Sequence, residues 1–157
     1  MINAWARADG RKGIRNVVAV AYLVECAHHV ARRIVDKIDD PDVQLIGFPG
    51  CYPNAYADKV MKAVVTHPNV GALVIVSLGC ESFNREGLAA AVAASGRPVE
   101  TLVIQQAGGT AATIAAGMEA VARVKAQADA GARTSMDVSE LVAVSYTHLT
   151  LPTNREV

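Results

Sequence analysis

Four apolar runs alternate with four helical stretches along the chain, and this alternation restricts the fold more than any other feature. The runs are rich in Val, Ile and Leu with little polar alternation, which is typical of strands buried on both faces of a parallel sheet. They are Val17–Leu23, Val43–Phe48, Ala72–Leu78 and Val99–Ile104. A shorter run, Leu141–Val144, is predicted as a last strand.

Between these runs, apolar residues such as Val60 and Val64 recur at helical spacing. The predicted helices are Ala27–Ile38, Ala55–Thr66, Ser82–Ala94 and Thr110–Ala130. Because a helix follows each strand, the sequence predicts an α/β fold, a Rossmann-like three-layer sandwich with a mostly parallel sheet of about five strands. Prolines at positions 41, 68 and 98 separate helices from the strands that follow, and Ala132–Asp137 is predicted as a polar connector.

Composition excludes several classes of protein. Fifteen Lys and Arg residues balance fifteen Asp and Glu residues, so nothing indicates binding to nucleic acid or to an anionic membrane surface. No apolar run has the length of a membrane span or of a signal-peptide core, and we expect a cytoplasmic protein. Three cysteines, an odd number, favour reduced thiols that are buried, metal-bound or catalytic.

The last stretch of the sequence, Ser145–Val157, differs from everything before it. It lacks the Ala, Val and Gly bias of the rest and has no core-facing period. It resembles translated adapter or vector sequence, so we separate it from a domain that covers residues 1–144. We expect it to make few apolar contacts. The alternative is a natural tail that packs on the domain.

The three cysteines each follow one of the predicted strands. Cys26 follows the first, Cys51 the second and Cys80 the third. Carboxyl ends of parallel strands meet at one edge of a sheet, where open α/β sheets bind ligands. We therefore expect the three sulfurs to approach one another at this edge.

Several motifs together resemble the altronate/galactarate dehydratase family, and their order and spacing are more specific than any one of them. They are Arg7–Asn16, Phe48–Cys51, His67–Ala72, Leu78–Glu81 and Gln105–Gln106, within a resemblance that extends from about Ala6 to Val144. The matched region is the first part of the catalytic portion of the family's enzymes.

The resemblance implies loss of water from a sugar acid to give a 2-keto-3-deoxy acid, with a divalent metal such as iron. It implies two partners for this region: a C-terminal lobe that begins at a Cys-Gly-Gly-Ser-Asp motif, and a small N-terminal domain that some relatives keep on a separate subunit. We expect this chain alone to be inactive. A base must take the proton alpha to the carboxylate, and amides or a cation must hold the enediolate.

With this chemistry, Cys26, Cys51 and Cys80 are candidate ligands of a metal or an iron–sulfur cluster, and spacing does not choose between the two. Glu81 is a candidate metal ligand or base beside Cys80, which is predicted near the start of a helix that begins at Ser82. The alternative is a small buried cysteine with a first-turn acid. Several relatives carry a histidine where this sequence has Gly47, which is a departure from their pattern.

The other candidates follow the strands in the same way. His28, two residues past Cys26, is either catalytic or a solvent-facing helix residue. Asn54 either binds substrate or caps the following helix. Gln105 and Gln106 are candidate substrate hydrogen-bonders in a glycine-containing loop that Thr110 is predicted to close as a helix cap.

Two other functions stay open from the sequence. One is a subunit of a carbon–sulfur lyase that acts on sulfolactate. The other is a non-catalytic α/β module that binds an anion or a metal, which fold class alone does not exclude.

Overall fold

A computed structural model describes residues 1–142 of the chain. In chain order its elements are β1 (Ile2–Ala6), β2 (Lys12–Gly13), β3 (Val17–Tyr22), α1 (Glu25–Ile38), β4 (Val43–Gly47), α2 (Ala55–Val65), β5 (Val70–Ser77), α3 (Arg85–Ala94), β6 (Val99–Val103), α4 (Thr110–Asp129), β7 (Arg133–Met136) and a short 3-10 helix (Val138–Glu140).

Four of the strands form a parallel sheet in the order β4-β3-β5-β6. The central strand β5 is buried along all eight residues, and β3 is buried along its first five. These strands therefore carry apolar residues on both faces, as the uninterrupted runs in the sequence predicted. The predicted α/β class is confirmed.

Helices cover both faces of this sheet. On one face α1 and α4 enclose a core that includes Val74, Val76 and Ile34. On the other face α2 and α3 enclose a second core that includes Leu73, Ile75 and Leu88. Successive residues of β5 thus alternate between the two cores, and the molecule has the three layers that the sequence predicted.

Three further strands form a separate antiparallel sheet in the order β2-β1-β7. This small sheet lies at the amino ends of the parallel strands, since Arg7 donates to the carbonyl of Pro68 at 2.7 Å and Asp9 lies 3.6 Å from Arg97. Neither β1 nor β2 was predicted from the sequence.

The prediction of a polar connector at Ala132–Asp137 was wrong, because this segment contains β7. Its strand pairs with β1 through the backbone and buries only Met136, so its residues carry almost no apolar signal. The Arg133 guanidinium also lies 4.2 Å from the centre of the Trp5 ring on β1.

The predicted last strand was wrong over its described part. Leu141 and Val142 are not in a strand, and Val142 is 91% exposed. The rest of that run and the segment Ser145–Val157 lie outside the described residues. Among residues 1–142, no helix combines the length and apolar character needed to cross a membrane.

Candidate functional site at the carboxyl edge of the parallel sheet

The direction of chain progression in the parallel sheet reverses between β3 and β5. The chain passes from β3 to β4 on one side through α1, and then returns across β3 to β5 through α2. The loop after β3 leads to α1 on one face of the sheet and the loop after β5 leads to α3 on the other face, so these two loops diverge. Crevices at such reversals of strand order are where open α/β sheets bind ligands.

The cysteines follow β3, β4 and β5, and all three are exposed. Cys26 is the second residue of α1, whereas Cys51 and Cys80 lie in the loops that follow β4 and β5. Backbone hydrogen bonds join these loops in sequence: Glu25 N donates to Pro49 O at 3.1 Å, and Ser82 N donates to Cys51 O at 3.0 Å. The carboxyl edge therefore carries one connected set of loops.

The residues needed for a metal site are not assembled in the part of the chain that the structure describes. Within residues 1–142, no group of three or more His, Cys, Asp or Glu side chains is placed to hold a metal ion. At position 47 the ring of Tyr22 fills the space, because a Cβ there would lie 2.3 Å from its Cδ1 atom. The described residues thus do not form a ligand set for the implied metal, and no chemical step is derived through it.

The side chain of Glu81 is held by two hydrogen bonds at this edge. Its Oε1 atom accepts a short hydrogen bond from the hydroxyl of Ser77, and its Oε2 atom accepts from Gly79 N at 2.8 Å. Arg85 Nη1 in turn donates to the Ser77 hydroxyl at 3.2 Å. Ser77 is fully buried as the last residue of β5. The three side chains form one hydrogen-bonded network at the end of this strand.

The environment favours the ionised form of Glu81. Burial raises the pKa of this carboxyl, but the hydrogen bonds from Ser77 and Gly79 and the charge of Arg85 together lower it further, so the pKa lies below its ordinary value. A carboxylate with a lowered pKa is a weak proton acceptor near neutral pH. Glu81 is therefore better suited, as placed here, to hold the loop after β5 than to remove a proton.

The helix after β5 begins later than the sequence predicted. Its first residue is Arg85 rather than Ser82, and Asn84 caps it by accepting from Gly87 N at 2.8 Å. Cys80 consequently lies five positions before the helix and outside its first turn. Sequence reasoning did not identify Arg85 or Ser77, although Ser77 stands out as a polar residue that ends an apolar strand.

Gln105 packs closely against the loop after β5. Gly79 has a φ of +124°, and a Cβ there would lie 2.6 Å from Gln105 Oε1. A glycine is thus required at position 79, both because of the positive φ and because the Gln105 side chain lies so close to its Cα. The helix α4 is capped by Gly109 and begins at Thr110, so the predicted capping role of Thr110 was wrong.

The side chains of Asn54 and His28 both contact residues close to them in sequence, at the start of α2 and of α1. Asn54 Oδ1 accepts from Ala57 N at 2.8 Å and so caps α2, the structural alternative considered above. His28 Nδ1 lies 3.0 Å from Glu25 Oε1, and its ring centre lies 4.7 Å from that of Tyr22. Roles for either residue in substrate binding or catalysis stay predictions.

Two cavities differ in position and character. A cleft of about 390 Å³ lies between the start of α3 and β6 at the carboxyl edge. Its lining residues are Arg85, Glu86, Ala89, Thr101, Val103 and Gln106. A larger groove of about 520 Å³ lies toward the amino ends of β3 and β4, and its walls are mostly apolar, including Val60 and Val64 of α2. Of these two cavities, the carboxyl-edge cleft adjoins the network of Ser77, Glu81 and Arg85, because Arg85 lines it.

Comparison with known proteins gives two matches. Residues 4–129 match the sequence model of a family described as D-galactarate dehydratase/altronate hydrolase, second domain. Altronate dehydratase of Escherichia coli strain K12 is 24% identical to this chain over 94 residues, which cover 52% of the chain and 19% of that enzyme. The chain thus corresponds to a small share of this relative. No solved structure matches the chain.

Proposed function

The chain belongs to the D-galactarate dehydratase/altronate hydrolase family, and on this premise we propose that it forms part of a hydro-lyase acting on a sugar acid. The product would be a 2-keto-3-deoxy acid. The observation that carries the proposal is the family match across residues 4–129, which spans all four parallel strands.

The arrangement of polar groups at the carboxyl edge supports this proposal. A sugar acid offers carboxylate and hydroxyl groups, which require donors and acceptors fixed in position. Arg85 provides a guanidinium, and Gln105 and Gln106 provide amides, on the loops and helix that follow β5 and β6. Glu81 fixes the loop after β5 by accepting from Gly79 N at 2.8 Å. One wall of a substrate site is thus proposed at this edge.

The described residues do not supply a complete acid–base pair. Glu81 has a lowered pKa, and His28 lies beside Glu25 on the first turn of α1. Dehydration needs a base for the alpha proton and an acid for the leaving hydroxyl. We propose that these groups come from parts of the enzyme outside this chain, and that the chain alone does not turn over sugar acids.

The test begins with the genomic sequence beyond codon 144. If the natural reading frame continues, its product is purified and incubated with altronate or galactarate and ferrous iron, and formation of 2-keto-3-deoxy acid is measured. Turnover by the longer product, with none by the 157-residue chain, is expected. A natural reading frame that ends at this position would favour the binding module, and turnover of sulfolactate alone would favour the carbon–sulfur lyase.

A further inference from the structure

We propose that Arg85 binds a carboxylate group of the sugar acid in the cleft between α3 and β6. This inference rests on the proposed function and assigns a binding role to a residue that the sequence analysis did not single out. The cleft volume of about 390 Å³ falls within the usual range of small-molecule sites, about 300–1,000 Å³.

Arg85 is held in position by groups that leave donors available. Its Nη1 atom donates to the Ser77 hydroxyl at 3.2 Å, and its Nε atom lies 2.8 Å from Glu86 Oε1. These two contacts involve two of the five N–H donors of the guanidinium. The side chain is 23% exposed, so it is partly desolvated. Its hydrogen bond to the buried Ser77 hydroxyl fixes the position of the guanidinium. A guanidinium fixed in this way suits bidentate binding of a carboxylate.

Two carboxylates near Arg85 affect this binding in different ways. Both oxygens of Glu81 accept hydrogen bonds, from Ser77 and Gly79. The Glu86 side chain is 73% exposed, so its attraction to Arg85 is screened by water and weak. A ligand carboxylate therefore competes mainly with Glu86, and removal of the Glu86 charge should strengthen binding.

The remaining walls of the cleft suit the hydroxylated part of the ligand. Thr101 and Val103 lie on the α3 face of β6, and Val103 pairs with Ser77 on β5. Thr101 supplies a hydroxyl and Gln106 an amide, and both are exposed at the cleft. Each of these groups both donates and accepts hydrogen bonds, as sugar hydroxyls require.

The experiment is an NMR titration of the 157-residue chain with galactarate, with acetate as a carboxylate lacking hydroxyls, and with galactitol as a neutral polyol. Galactarate and acetate are expected to shift the Arg85 Nε–H resonance, and galactitol is not. R85M should weaken galactarate binding at least about tenfold, and R85K by less, because lysine keeps the charge but not the paired donors. E86Q should tighten binding by up to about fivefold.

R123M is the matched control, because Arg123 is an exposed arginine on α4 that pairs with Glu100. It removes the same charge and should leave galactarate binding unchanged. Equal galactarate affinity in the wild type and in folded R85M and R85K would overturn the inference and leave the proposed function standing. No response of Arg85 to any carboxylate would also overturn it. Arg85-dependent binding without dehydratase activity in the longer natural product would instead contradict the proposed function.

Discussion

Replacing Glu81 with glutamine should destabilise the domain at neutral pH, and the effect should fade in acid. The carboxylate of Glu81 accepts from two donors at once, the Ser77 hydroxyl and the Gly79 amide. A glutamine side chain offers only one oxygen and places an NH2 group where the second oxygen stood. One buried donor then loses its acceptor, so the loop after β5 loses part of its anchoring.

The size of the effect follows from this lost acceptor. An unsatisfied buried donor costs about 1–3 kcal/mol, and partial exposure of Glu81 places the expected loss near the lower end, about 1–2 kcal/mol. For a domain of this size that corresponds to a fall in Tm of roughly 2–8 °C. Urea denaturation followed by circular dichroism measures the free energy of unfolding of both proteins. E86Q, which changes an exposed neighbour, should alter it by less than about 0.5 kcal/mol.

The pH dependence has a definite sign. The pKa of Glu81 is lower in the folded protein than in the unfolded chain, so its charge stabilises the fold above the unfolded pKa. This contribution is lost as the pH falls through the folded pKa. The difference between the wild type and E81Q should therefore be full at about pH 7 and diminish below about pH 4. Equal stabilities at neutral pH, or a difference that persists undiminished in acid, would refute the reasoning.

Three further predictions concern stability and thiol access. N54A should lower the free energy of unfolding by about 0.5–2 kcal/mol, because α2 loses its N-cap bond to Ala57; an unchanged value in urea denaturation would contradict this. G117A should lower Tm even though alanine favours helix, because its Cβ would lie 2.3 Å from Cδ1 of buried Ile34; a higher Tm would show that the helices adjust. All three cysteines are exposed and should react with a thiol reagent in the folded protein; a thiol that reacts only after denaturation would contradict their placement.

The parallel sheet was predictable because its two inner strands, β3 and β5, are buried on both faces and its edge strands are still mostly apolar. The run predicted at Val43–Phe48 forms β4 at Val43–Gly47, and the helix predicted at Ala55–Thr66 forms α2 at Ala55–Val65. In strands buried on both faces nearly every residue is apolar, so their burial is visible directly in the sequence. The antiparallel sheet was missed because β2 has two residues and β7 buries one of four. Their pairing depends on backbone hydrogen bonds, which leave little trace in composition.

The candidate site was predictable in its location but not in its contacts. Counting residues past each strand was enough to place Cys26, Cys51 and Cys80 after the carboxyl ends of β3, β4 and β5, because every parallel strand points the same way. It did not predict which loops adjoin, since that depends on the order β4-β3-β5-β6. It also did not predict that Tyr22 fills the space beside Gly47.

The hydrogen-bonded network of Ser77, Glu81 and Arg85 shows why no role for Arg85 was predicted from the sequence. Ser77, Glu81 and Arg85 are four positions apart, which in a helix would place them on one face. Here Ser77 ends a strand, Glu81 lies in a loop and Arg85 begins a helix. Their hydrogen bonds exist because Gly79, at φ +124°, turns the chain back over the end of β5. A glycine that permits this turn, and not the spacing of the polar residues, brings the guanidinium to the cleft beside β6.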